Sequence, residues 1–146
     1  MAVVNSMAGA ITKRMPKVIS PTGHAIADYL TMGAFLVAGA LFWRRNKRAA
    51  LASLVCGGAE LALNLLTNYP GGIAEVVSFP THCKIDTGMA AMIAEMPRFM
   101  KFEDDKQKTF FLVQAAGVIA VANLSDYDRP EYRWQERIEH ARERAA

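Results

Sequence analysis

The sequence predicts an all-α fold: a bundle of four transmembrane helices made from two tandem helical hairpins, with a polar helical tail at the C-terminus. Three observations predict it. The apolar residues, 52% of the 146, fall largely in uninterrupted blocks rather than in stripes. Short polar or basic loops separate the blocks. The chain also repeats itself at an offset of 58 residues: His24 matches His82, Asp28 matches Asp86, and Leu66-Thr67-Asn68-Tyr69 matches Leu124-Ser125-Asp126-Tyr127. The organisation that follows is an N-terminal segment over 1–21, a duplicated domain over 22–127 with repeats 22–79 and 80–127, and a charged tail over 128–146.

Taken in order, residues 1–12 lack the early basic region and the small-residue cleavage site of a signal peptide, so the start is expected to be retained. Val18 and Ile19 are expected to pack beside the bundle, and Ser20 before Pro21 reads as an N-cap with proline in the first turn. Residues 25–43 carry one charge in 19 and residues 49–66 one in 18, against the roughly 20 apolar residues a spanning helix needs. Residues 110–124 carry no charge, and qualify as a span once their flanks are counted. Residues 82–100 are the weakest block, because they contain Lys84, Asp86, Glu95 and Arg98; those groups must face the bundle or a wet surface, since a charge facing lipid costs several kcal/mol. A soluble four-helix bundle would instead show a broad charged face on each helix, which residues 29–43 do not have. Gly33, Gly39, Gly57, Gly58, Gly88 and Gly117 suit close helix contact in lipid. The tail mixes both signs of charge at helical spacing; Tyr132 and Trp134 in it suit an interface anchor or a packing contact, and His140 reads as solvated.

The loop after the first helix carries Arg44, Arg45, Lys47 and Arg48, the loop after the third carries Arg98, Lys101, Lys106 and Lys108, and the connection TNYPGGIAEVVSFP carries neither Lys nor Arg. The positive-inside rule then places the basic loops 44–48 and 98–108 in the cytoplasm, although Lys13, Arg14 and Lys17 beside the first helix argue the other way. The net charge of +3 and pI near 9.0 come mainly from these loops, so they read topology or anionic lipid and not nucleic acid.

Residues four apart on a helix sit about 6 Å apart along the axis and nearly on one face. His24 with Asp28, and His82 with Asp86, therefore form twin edges, and because two loops reverse the chain twice their helices run in the same direction. Converging, two imidazoles and two carboxylates suit Zn²⁺ or another borderline divalent ion. The spacing resembles the paired H-x-x-x-D helices of cation diffusion facilitators, as a motif only. Alternatively His24 and His82 serve as axial ligands of a b-type haem, or each holds one chlorin magnesium with an Asp fixing the tautomer. A structural reading stands beside both: an Asp one turn after a His at a helix start can simply pair with it and gain from the helix dipole.

Glu60 and Asn64 repeat the i, i+4 pattern in the second helix, whereas 58 residues on stand Val118 and Ala122; the second hairpin offers Gln114 and Asn123. A Glu inside a span marks function or one interhelical hydrogen bond. Cys56 and Cys83 form no C-x-x-C and read as buried thiols, and the eight scattered methionines read as core filling. No G-x-G-x-x-G, G-x-x-x-x-G-K-[ST], G-x-S-x-G or H-E-x-x-H occurs, so the common soluble enzyme classes have no support.

The stretch THCKIDTGMAAMIAEMPRFMKF, preceded by LLTNYPGG and matched by GHAIADYLTMGAFLVAGALFW, resembles the SPW-repeat family of small bacterial membrane proteins over about residues 22–127. The namesake Ser-Pro-Trp is degraded to Met96-Pro97-Arg98-Phe99. The resemblance implies a duplicated four-span protein of the bacterial inner membrane and supplies no activity. The expected function is a non-catalytic accessory or packing subunit in contact with other membrane subunits or with copies of itself. The sharper alternative is a divalent-metal site at His24, Asp28, His82 and Asp86.

Overall fold

The computed structural model describes residues 16–127, Ile138 and residues 140–145; the expectations for residues 1–15 and for Tyr132 and Trp134 lie outside the described residues. Four helices follow one another: α1 (Pro21–Phe42), α2 (Lys47–Leu66), α3 (Phe79–Phe99) and α4 (Asp105–Leu124). Each begins two to five residues before its apolar block, because a polar residue stops it at the N-terminus. Ser20 and Ser78 accept from the backbone N–H of Gly23 and Thr81. Asn46 accepts from Arg48 and Ala49, and Asp104 from Lys106 and Gln107. Each cap satisfies amides that the helix itself leaves open.

Packing is densest between α1 and α2 and between α3 and α4, so the fold is two antiparallel hairpins docked on each other. The turns after α1 and α3 meet at one end, where Asn46 Nδ2 donates to Gln107 Oε1 at 2.7 Å and Arg45, Lys47, Arg48 and Lys101 gather around one cleft. Inward from that end, Phe35, Phe102 and Phe111 are buried edge to face at 5.2–5.5 Å between ring centres. At the other end the starts of α1 and α3 meet the ends of α2 and α4. There Ile19 pairs with Ser125 and Val77 with Thr67 in short backbone bridges. Val18 does not pack beside the bundle as expected: its side chain is exposed, and its amide donates to Leu124 O at 2.9 Å.

Three helices, α1, α2 and α4, are long and apolar enough to cross a membrane. Their outward positions agree: Ile26, Leu30, Val37 and Leu41 on α1, Leu51 and Val55 on α2, and Leu112 and Val113 on α4 are all exposed. A water-soluble bundle would present charge there. The outer surface of these helices is apolar, in keeping with helices long enough to cross a membrane. Of the glycines expected at close helix contacts, only two serve that purpose within the chain. A Cβ on Gly39 would meet Leu54 at 2.8 Å and one on Gly57 would meet Phe35 and Leu36 at 3.1 Å, whereas Gly33, Gly58, Gly88 and Gly117 face open space.

Candidate metal centre

His24 sits in the first turn of α1 with Asp28 one turn on, and His82 and Asp86 sit likewise in α3. All four are buried. The docking of the hairpins turns the two edges toward each other, so each carboxylate meets both imidazoles. Nε2 of His24 lies 3.2 Å from Asp28 Oδ2 and 3.1 Å from Asp86 Oδ2; Nε2 of His82 lies 3.1 Å from Asp28 Oδ2 and 3.2 Å from Asp86 Oδ2. One ligand atom from each residue lies within 4.8 Å of every other. The pairing is therefore not confined to each helix, as the purely structural reading would have it. The cross-helix distances are as short as the local ones.

The remaining ring nitrogens are held by hydroxyls from the opposite hairpin. Ser125 gives its one proton to the carbonyl of Val121 at 2.7 Å, so toward His24 Nδ1, at 2.6 Å, it can only accept. Thr67 gives its proton to the carbonyl of Leu63 at 2.7 Å and accepts from His82 Nδ1 at 2.7 Å. With Nδ1 carrying the hydrogen in both rings, the neutral imidazoles turn both Nε2 lone pairs toward the two carboxylates. Four electron-pair donors then share one enclosed space. His82 Nε2, for all its proximity to two carboxylates, has no aligned hydrogen bond, and Asp86 Oδ1 has none either.

Tyr69 closes the site from the loop after α2, donating its hydroxyl to Asp28 Oδ2 at 3.1 Å. Burial and the neighbouring Asp28 carboxylate raise the Tyr69 pKa, which keeps that hydrogen in place. Phe79 stacks on Tyr69 and meets His24 edge-on at 5.1 Å, and these rings keep water out. The matching Tyr127 is placed otherwise: Lys17 Nζ lies 4.2 Å above its ring centre.

Thr67, Ser125 and Tyr69 were visible in the sequence only as matched ends of the repeat. That a hydroxyl residue recurs at 67 and 125 was the signal for their role. Glu60 and Asn64 are both buried, and neither makes the interhelical hydrogen bond that was one reading of them. Asn123 donates to Ile119 O in its own helix, and Cys56 and Cys83 are free buried thiols, as expected. His140 is exposed and pairs with Glu143 at 3.2 Å. No protein-family model matches the chain, and no curated protein and no solved structure matches it.

Proposed function

We propose that this protein holds one divalent cation, of the Zn²⁺ type, between His24, Asp28, His82 and Asp86. The observation that carries the reading is the orientation of the four groups: hydroxyls fix both Nδ1 atoms as donors, and two Nε2 lone pairs and two carboxylate oxygens converge. Such a set needs positive charge in its middle, supplied by two protons or by one divalent ion. The distances admit the ion. Tetrahedral bonds of about 2.0 Å imply ligand-to-ligand edges of about 3.3 Å; the four imidazole–carboxylate separations are 3.1–3.2 Å, and all four ligand atoms lie within 4.8 Å of one another. Carboxylate oxygens this close to both Nε2 atoms also occupy the space a porphyrin or chlorin ring would need, so the small cation is the better occupant.

The same proposal includes the setting. The chain is read as a duplicated pair of hairpins with α3 as a fourth span, its polar residues turned to the centre and to the membrane face, in keeping with the SPW-repeat likeness. It is placed in a bacterial inner membrane with loops 44–48 and 98–108 cytoplasmic and the metal centre toward the opposite face. The accessory-subunit reading has one observation in its favour: Gly58, Gly88 and Gly117 lie on outer surfaces with nothing against them, where a neighbouring subunit's helix can approach closely.

Elemental analysis and a visible spectrum of the purified full-length protein test this. One equivalent of zinc per chain is expected, lost in His24→Ala and His82→Ala variants that keep their helical circular dichroism. Zinc retained by both variants, or a Soret band in the wild type, would overturn it.

A further inference from the structure

Among the described residues, the buried side-chain oxygens and nitrogens that lack a partner are both oxygens of Glu60, both polar atoms of Asn64, Asp86 Oδ1 and His82 Nε2. The last belongs to the centre described above. The other five need an explanation of their own, because a buried carboxylate without a partner is strongly disfavoured.

Their placement supplies one. Glu60 stands six residues before the end of α2, and Asp28 and Asp86 each stand seven after the start of their helices. At about 1.5 Å per residue the three carboxylates lie at nearly one level. Thr67, at the end of α2 and on the same face as Glu60 and Asn64, meets His82 Nδ1 at 2.7 Å, which turns this face of α2 toward the His–Asp centre. Asn64, one turn along α2, lies on the same face and is fully buried. Asp86 thus spends Oδ2 on the two imidazoles and leaves Oδ1 over, with Glu60 and Asn64 nearby in the same interior.

We infer that Asp86 is a bridging carboxylate, and that its Oδ1, the Glu60 carboxylate and the Asn64 carbonyl form a station for a second, harder divalent cation beside the His–Asp centre. The inference rests on the proposed metal centre. The donor set is oxygen only, which suits Mg²⁺ or Mn²⁺ over Zn²⁺, whereas the first centre offers two nitrogens. Two carboxylates sharing one metal neighbourhood also require the added positive charge. The station is one-sided: 58 residues beyond Glu60 and Asn64 stand Val118 and Ala122, both buried and both without ligand atoms.

The test uses full-length protein in detergent, loaded with one equivalent of Zn²⁺ and titrated with Mn²⁺, free Mn²⁺ being read by electron paramagnetic resonance. Wild type is expected to take up one Mn²⁺ per chain. Glu60→Gln and Asn64→Ala should each weaken Mn²⁺ uptake at least tenfold and leave zinc at one per chain, which also reports an intact fold. Zinc bound but no Mn²⁺ uptake overturns the second station alone, as does unchanged Mn²⁺ uptake in Glu60→Gln. Loss of both ions in Glu60→Gln overturns it too, by making Glu60 part of a single site. Failure of the wild type to bind zinc at all overturns the first centre instead.

Discussion

Ser125 Oγ receives the Nδ1 hydrogen of His24 at 2.6 Å, across 101 residues of sequence and between the two hairpins. Thr67 does the same for His82 at 2.7 Å. Each hairpin thus orients the imidazole of the other, and neither can form its half of the centre alone. Groups that orient a ligating histidine usually contribute 10- to 100-fold to metal affinity. Ser125→Ala and Thr67→Ala should each weaken zinc binding by about that factor, and by similar amounts, in a competition titration against a chelating dye. An effect in only one of them would contradict the reciprocal arrangement.

The carboxylates should matter more than the hydroxyls. Asp86→Asn and Asp28→Asn keep side-chain size but remove one of the two negative charges that offset a divalent ion, leaving the site with a net positive charge when loaded. Each should reduce zinc affinity by on the order of 100-fold or more in the same titration, with helical content unchanged.

Zinc affinity should fall as the pH is lowered. Both Nε2 atoms and both Asp oxygens must be free of protons to bind the ion, so protons compete with metal and binding releases them. Calorimetry of zinc binding in two buffers of different ionisation enthalpy should show proton release; none would mean that the ligand atoms are not those named.

Gly72 has a role that is purely geometric. A Cβ there would lie 1.7 Å from the carbonyl oxygen of Thr67, so Gly72→Ala must push the loop away from α2 and carry Thr67 and Tyr69 with it. The variant should lose zinc affinity although residue 72 touches no ligand. Phe35→Ala is the contrasting case. It empties a fully buried position at the opposite end of the bundle and should cost about 3–5 kcal/mol of stability, read as a lower melting temperature, while the zinc stoichiometry of the folded fraction stays at one.

The ends of the bundle should differ in exposure across the membrane. Single cysteines placed at Lys101 and at Ile73, in a background lacking Cys56 and Cys83, should react with an impermeant maleimide from opposite sides of a sealed inner-membrane vesicle. Reaction of both from one side would remove the proposed topology.

Much of this was legible in the sequence. Uninterrupted apolar blocks gave α1, α2 and α4, because a helix without a charged face has few other ways to read; α3 came from a weaker block broken by charges, and the 58-residue offset singled out His24, Asp28, His82 and Asp86 together. The starts of the helices were less legible, since Asn46, Ser78 and Asp104 act through capping and not through hydropathy. Whether α3 crosses was not decided by its pattern: Asp86 is buried at the centre, while Glu95 and Arg98 pair on the surface at 3.3 Å. The tautomer-fixing role of Thr67 and Ser125 needed the docking of one hairpin on the other, which periodicity does not encode. The glycines failed as a guide for a similar reason: a small residue on an apolar helix looks alike whether it faces a neighbour, as Gly39 does, or open space, as Gly88 does.

X-ray absorption at the zinc edge, on full-length protein loaded with one equivalent of Zn²⁺, reads the ligand set itself. A first shell of two imidazole nitrogens and two oxygens at about 2.0–2.1 Å is the expected result. A sulfur shell near about 2.3 Å, which would assign the ion to Cys56 or Cys83, or a spectrum of fully hydrated zinc would contradict it.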